Sequence, residues 1–245
     1  MPNERLRAAL LERGLTPAAL AETLRVDAKT VERWITQNRV PYRKTRYSVA
    51  SLLKTDESFL WPDALPPEQV AAAGESELVA IYPHRWAVPN DVWRRFYESA
   101  ERDIGVLVYS GLFLAESTGL LPLFGQKAKA GVTVRILFGD PDSAEVALHG
   151  AEIGLDDAMA ARVRNALVVF KPLQAVEHVE IRLHSTTLYN SIYVADDQLL
   201  VNSQIYGVPA QNSPVLHLRR VAGGDMVSTF LDSFERVWSG ATPVP

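Results

Sequence analysis

The chain contains no cysteine. That excludes a disulfide framework, a thiolate nucleophile and any cysteine-ligated zinc or iron–sulfur centre. Long apolar runs are also missing. The longest, Ile104 to Ala115, has twelve residues, against the roughly 20 a membrane-spanning helix needs. The first fourteen residues, MPNERLRAALLERG, carry charge throughout and hold no apolar signal-peptide core. No histidine pair has a zinc-protease spacing such as HExxH. These absences predict a cytoplasmic protein with no membrane partner, no metal site and no cofactor.

What is present is enough for a folded core. The 245 residues are 47% hydrophobic and 22% charged, outside the range of disordered chains and suited to one large domain or two small ones. The net charge of −4 hides an asymmetry. Residues 1–54 hold eleven basic and five acidic residues, a balance of +6; the remaining 14 basic and 24 acidic residues balance at −10. A short basic segment joined to a larger acidic one predicts that the first part meets a polyanion.

Composition and patterning divide the chain into three segments. Residues 1–56 are short, basic and helical in pattern. Residues 57–75 (ESFLWPDALPPEQVAAAGE) hold Pro62, Pro66 and Pro67, show no sustained periodicity, and read as a linker whose start, Phe59-Leu60-Trp61, is apolar enough to pack. Residues 76–245 mix strand and helix signals.

In the first segment Leu6, Ala9 and Leu10 share a helical face, and Gly14 ends that helix. Thr16 is placed to cap a second helix with Pro17 in its first turn, and Asp27 to cap a third over residues 28–36. Leu20, Ala21, Leu24, Val26, Val31 and Trp34 fall where one helix packs across the next; Ala21 is small where the two approach closely. The stretch TPAALAETLRVDAKTVERWI resembles the helix-turn-helix of the lambda-repressor-like (Cro-type, xenobiotic-response-element) regulators, with residues 48–53 as a closing helix. Arg25 departs from the glycine such turns often use, at a cost of roughly 1 kcal/mol where φ is positive. The resemblance makes residues 28–36 the recognition helix. Lys29, Thr30, Glu32 and Arg33 would then face the major groove of duplex DNA, and Gln37, Arg39, Tyr42, Arg43, Lys44 and Arg46 its phosphates.

The last segment predicts strands over 77–82, 104–110, 132–138, 179–183, 188–195, 199–206 and 215–221, with helices over 91–102, 119–130 and 156–170 and at the carboxyl end. Strand–helix–strand order at the front implies parallel pairing, and the adjacent later strands imply antiparallel pairing. The expected fold is an all-α helix-turn-helix domain followed by an α/β domain whose mixed sheet is flanked by helices.

IGVLVYS, KAKAGVTVRILF and FLDSFERVW resemble the phospholipase D-like superfamily, whose catalytic signature is His-x-Lys-x4-Asp followed by a small-polar turn. In YNSIYVADDQLLVNSQ, Tyr189 stands at the histidine position, Ser191 at the lysine position and Asp196 at the aspartate position, with Asn202 and Ser203 near the turn. The nucleophile and the cation are replaced, so the resemblance implies a domain without that catalysis. His184 is the alternative nucleophile, but its spacing reaches Ser191 rather than an acid, and a strand-end histidine bonded to backbone is the favoured explanation. Tyr189, Ser191, Asp196 and Asn202, with His84 and Arg85 beyond the first strand, form the expected site for a small polar ligand. The −10 balance disfavours a charged anion there unless Arg85 or Arg182 lines the pocket. The full expectation is a homodimeric transcriptional regulator that binds DNA and senses a ligand. The alternative is a phosphodiesterase or nuclease delivered to DNA by its helix-turn-helix.

Overall fold

A computed structural model describes residues 2–64, 74–116, 119–221 and 223–244, with the side chains of Arg43, Ser58 and Asp63 outside that description. The chain forms a helical amino-terminal region followed by an α/β region, a mixed sheet flanked by helices. It divides into two compact units: Met1–Glu77 with Arg220–Ser228, and Leu78–Arg219 with Thr229–Pro245.

The first unit opens with five helices: α1 (Glu4–Glu12), α2 (Pro17–Leu24), α3 (Ala28–Thr36), α4 (Arg43–Leu53) and α5 (Glu57–Leu60). The caps form as the sequence predicts. The Asn3 side chain accepts from Leu6 N, Thr16 Oγ1 from Ala19 N, and Asp27 Oδ1 from Lys29 N. Each satisfies one amide that a helix start leaves without a partner. Leu6, Leu10, Leu20, Ala21, Val31, Trp34, Ile35, Val49 and Leu53 form the core. Arg25 adopts the left-handed conformation (φ 53°, ψ 44°), and its amide closes on Ala21 O and Glu22 O. The turn between α2 and α3 is therefore regular, and Arg25 carries its backbone strain.

The start of the expected linker is not a linker. Leu60 and Trp61 are 0% and 1% exposed within the same core, and Trp61 meets Trp34 edge-to-face at 6.4 Å. The Asn3 side chain donates to Leu60 O. Residues 65–73 lie outside the described residues. The unit is completed late in the sequence: Glu77, 1% exposed, accepts from Met226 N and Val227 N, and Arg220 pairs with Asp56 at 2.6 Å. A Cβ on Gly224 would collide with the Glu77 carboxyl group and push it off its two amide donors.

The second unit holds eight strands, β1 (Leu78–Tyr82), β2 (Asp103–Leu107), β3 (Thr133–Gly139), β4 (Val179–His184), β5 (Asn190–Ala195), β6 (Gln198–Ser203), β7 (Val215–Arg219) and β8 (Thr242–Pro243), in the order β1-β7-β6-β5-β2-β3-β4-β8. β2, β3 and β4 run parallel; β5, β6 and β7 form an antiparallel meander beside β2. Buried strand residues such as Ile104, Val106, Val134, Ile136, Val194 and Leu199 explain the near-continuous apolar runs of the central strands.

Two expectations change here. β1 does not pair with β2; it lies at the sheet edge, antiparallel to β7. β4 belongs to the parallel group rather than to the antiparallel one, because a crossover of two helices, α9 (Ala144–Glu152) and α10 (Asp157–Phe170), separates it from β3. The sequence pattern did not predict α9, although Ser143, whose hydroxyl accepts from Val146 N, is its cap. Further helices are α6 (Asn90–Glu98), α7 (Leu112–Glu116), α8 (Leu120–Lys129) and α11 (Met226–Gly240). Among the described residues no helix is long and apolar enough to cross a membrane.

Candidate functional site

Two places collect functional side chains. The first is the outer face of α3. Val31, Trp34 and Ile35 point into the core, so the helical period turns Lys29, Glu32, Arg33 and Thr36 outward, with Thr30 half-buried. Gln37 and Arg39 follow, exposed, and Lys44 is exposed on α4. Tyr42 and Tyr47 stand 90% and 68% exposed beside them. The Arg43 side chain lies outside the described residues. Arg46 must be corrected. The closing helix begins at residue 43 rather than 48, which turns Arg46 inward; its side chain is 12% exposed, 3.2 Å from Glu57 Oε2, and donates to Pro41 O. It is engaged within the fold and is not presented to a phosphate.

The second place is a cleft of about 70 Å³ at the carboxyl ends of β2 and β3, where ligands of open α/β sheets gather. Its lining includes Arg85, Tyr109, His149, Arg162, Ser191 and Gln204. Ser191 is 3% exposed, and its hydroxyl accepts from Gln204 Nε2 at 3.0 Å. Arg85 lies with Cζ 4.0 Å over the Phe113 ring. Tyr109 stacks on His149 at 4.1 Å, and its hydroxyl accepts from Leu188 N. Burial pushes the Tyr109 hydroxyl up and the His149 ring down from their ordinary values. Tyr193, fully buried, is also pushed up by burial, and the Arg85 guanidinium opposes that shift.

Of the six expected ligand residues, the structure brings only Arg85 and Ser191 into this cleft. Asp196 is a correction. It occupies the two-residue turn between β5 and β6 at φ 52°, five residues and about 17 Å along the strand from Ser191. Its carboxylate accepts from the amides of Glu101, Arg102 and Asp103. Partial burial pushes its pKa up, but the three amides and Arg102 outweigh this and hold the carboxyl below its ordinary value. Asp196 joins the hairpin to the start of β2.

Asn202 is fully buried and donates to Ser213 O and Pro214 O, away from the cleft lining. Tyr189 is 79% exposed and does not line this cleft. His84 stacks on Trp86 at 4.1 Å, also outside the lining. Arg182 stacks on Trp238 and pairs with Glu180, so of the two arginines considered only Arg85 reaches the cleft.

His184 ends β4 at 2% exposure. Its Nε2 lies 3.2 Å from Val108 O and its Nδ1 accepts from Thr186 N. A neutral ring with the proton on Nε2 satisfies both partners, and burial lowers the pKa to about 4. This is the backbone-bonded strand-end histidine. The Gly139–Ser143 loop is likewise a self-bonded turn, with Asp140 Oδ1 accepting from Asp142 N. Among the described residues no group of three histidine, aspartate or glutamate side chains could hold a metal ion.

Sequence reasoning missed Tyr109, His149, Arg162 and Gln204. Arg162 and His149 come from the two crossover helices, and only the register of the sheet brings all four to one end.

The fold thus defines a protein with a helical amino-terminal unit and a mixed-sheet α/β unit. No protein-family model matches the chain, and no curated protein sequence matches it. Among solved structures it is similar to TrmBL2, an archaeal chromatin protein whose structure shows a novel mode of DNA binding. The identity is 14% over 82% of this chain and 62% of that one, with a TM-score of 0.44. It is also similar to Nuc from Salmonella typhimurium, a phospholipase D family member, at 12% identity over 62% of this chain and 90% of that one, with a TM-score of 0.36. The chain spans about 62% of the length of TrmBL2.

Proposed function

We propose that the protein is a cytoplasmic DNA-binding transcriptional regulator. Its helical unit reads duplex DNA through α3, and its α/β unit, phospholipase D-like and without that family's catalysis, dimerises and senses a small polar ligand. One observation carries the reading. α3 is held from beneath by Val31, Trp34 and Ile35 and turns Lys29, Glu32 and Arg33 outward, beside exposed Gln37, Arg39 and Lys44. A short, capped helix with a fixed inner face and a basic outer one suits insertion into the major groove. The +6 balance of residues 1–54 supplies attraction to phosphate. The domain boundaries follow the same reading, with the reader running through Trp61 rather than ending at residue 56. A single reader contacts few base pairs, so two copies on adjacent half-sites are the expected arrangement.

The test is fluorescence anisotropy of the full-length protein on duplexes enriched from a random pool, at several salt concentrations, with a phosphodiester hydrolysis assay alongside. The expected result is an affinity that falls by a factor of ten or more between about 50 and 200 mM salt, and no turnover. An affinity insensitive to salt would overturn the DNA reading. Turnover lost on changing Tyr189 or His184 would establish the phosphodiesterase alternative.

A further inference from the structure

The cleft of the α/β unit runs against the charge of its surroundings. Residues 55–245 carry a balance of −10, yet the fourteen lining residues include two arginines and no aspartate or glutamate. Among the described residues neither Arg85 nor Arg162 forms an ion pair. Other arginines of the unit do: Arg94, Arg95, Arg102, Arg135, Arg164 and Arg182 each sit within 4 Å of a carboxylate. Arg85 is also held in place, its guanidinium over the face of Phe113. An arginine fixed over an aromatic ring keeps donors of its planar fork free for an oxyanion.

The same cleft supplies the complement. Gln204 Nε2 donates to Ser191, which leaves Gln204 Oε1 buried with no hydrogen-bond partner. A buried acceptor without a donor is costly unless a ligand or water provides one. Tyr109 accepts from Leu188 N with its hydroxyl oxygen and keeps its own proton to donate. The cleft therefore offers two cations, a hydroxyl donor and one acceptor. A bare anion satisfies the first three; only a ligand that also carries a hydroxyl satisfies all four. The volume of about 70 Å³ suits one compact anionic group with the remainder projecting outward.

We propose that this cleft binds the oxyanion group, phosphate or carboxylate, of a small hydroxylated metabolite, with Arg85 and Arg162 clamping the anion and Gln204 accepting from a hydroxyl of the ligand. The proposal rests on the ligand-sensing part of the functional reading and narrows it from polar to anionic. It also moves the site from the Tyr189–Asp196 string to the end of the sheet that holds Ser191.

The test is titration calorimetry of the full-length protein with glycerol 3-phosphate, lactate and glycerol, each at constant ionic strength with chloride as the balancing anion. DNA binding is measured on the same preparations. Saturable binding of glycerol 3-phosphate or of lactate is the expected result, and the tighter of the two identifies phosphate or carboxylate as the group recognised. Arg85→Met should weaken that binding about tenfold or more. Arg162→Gln, at an exposed position where folding is not at stake, should weaken it about threefold or more. Glycerol binding without either anion would overturn the proposal and leave a sensor of neutral polyols. Anion binding untouched by both substitutions would overturn it too, since the anion would then sit elsewhere. So would no binding of any probe. If DNA binding persists in that last case, the reading of the helical unit stands and only the anion site falls. Saturable anion binding without DNA binding would do the opposite: the anion site would stand and the reading of the helical unit would fall.

Discussion

The outer face of α3 and the β5–β6 hairpin carry similar numbers of polar side chains and use them in opposite ways. α3 places Lys29, Glu32 and Arg33 on one side of a nine-residue helix, a span of about 13 Å that one groove can cover. The hairpin sends Ser191 to a cleft at one end of the sheet and Asp196 to a backbone anchor at the other. Neighbours in a helix sequence stay neighbours in space, whereas a strand carries each residue about 3.4 Å further from the last. A run of polar residues along a strand is therefore two half-sites with separate duties, and substitutions should separate them.

The largest effect should fall on the helical unit rather than on the hairpin. Trp61→Ala removes a side chain that is 1% exposed and edge-on to Trp34, and should cost about 3–5 kcal/mol in urea denaturation of the full chain. A loss below about 1 kcal/mol would return residues 57–64 to the status of a linker. On the sheet, His184 should make stability fall with acidity. Its folded pKa of about 4 lies below the 6.5 of a free histidine, so the unfolded chain binds the extra proton. The stabilisation is complete above pH 6.5 and is lost as pH falls towards 4, by about 3 kcal/mol. Comparing denaturation of the wild type and His184→Gln at pH 7.5 and 4.5 isolates it; equal slopes in the two proteins would mean that the ring charges without penalty.

Asp196→Ala sharpens the division within the hairpin. It strips three backbone amides of their acceptor and should cost about 2–3 kcal/mol at neutral pH, while leaving anion binding at the cleft within about twofold. Because its folded pKa is depressed, that contribution is present above the ordinary aspartate value and disappears as pH falls through the folded one. Any large change in ligand affinity at unchanged stability would rejoin the two ends into one site. Two arginines of the helical unit make the next contrast. Arg33→Ala should weaken cognate DNA by about 1–3 kcal/mol with little change in melting temperature. Arg46→Ala should do the reverse, since its partners are Glu57 and Pro41 O. The smallest effect is a gain: Arg25→Gly relieves a φ of 53° and should stabilise by a few tenths to about 1 kcal/mol, offset in part by a more flexible unfolded chain.

The helical unit was legible because its information is local. Thr16 and Asp27 cap amides two or three residues further on, and Val31 and Trp34 follow the helical period, so capping and periodicity place them. Arg46 was misjudged for a local reason as well: starting the closing helix at residue 48 instead of 43 frees a side chain that the added turn swings toward Glu57. The sheet's strands were legible from their apolar runs, but their neighbours were not. β1 reaches β7 across more than a hundred residues, and no periodicity in ELVAIY specifies that partner. The candidate site suffered most. Matching Tyr189, Ser191 and Asp196 to a linear signature assumes that they converge, and Asp196, at the tip of the hairpin, is committed to Glu101, Arg102 and Asp103. Gln204 ends the matched string but has no role in its signature, and Tyr109 and Arg162 belong to no single motif with Ser191, so only the assembled sheet shows them together.

The Glu77 carboxylate draws its two amide partners from positions 149 and 150 residues further along. On a ribosome, the whole sheet through β7 is made before those amides exist. Until then Glu77 must keep its water, and the helical unit has an open flank where residues 220–228 will close it. Synthesis therefore has a fixed order: α1 to α5 first, β1 to β7 second, and only then the short return segment that dries Glu77. A release of the chain between residues 220 and 225 would leave every strand from β1 to β7 synthesised and the first unit unfinished.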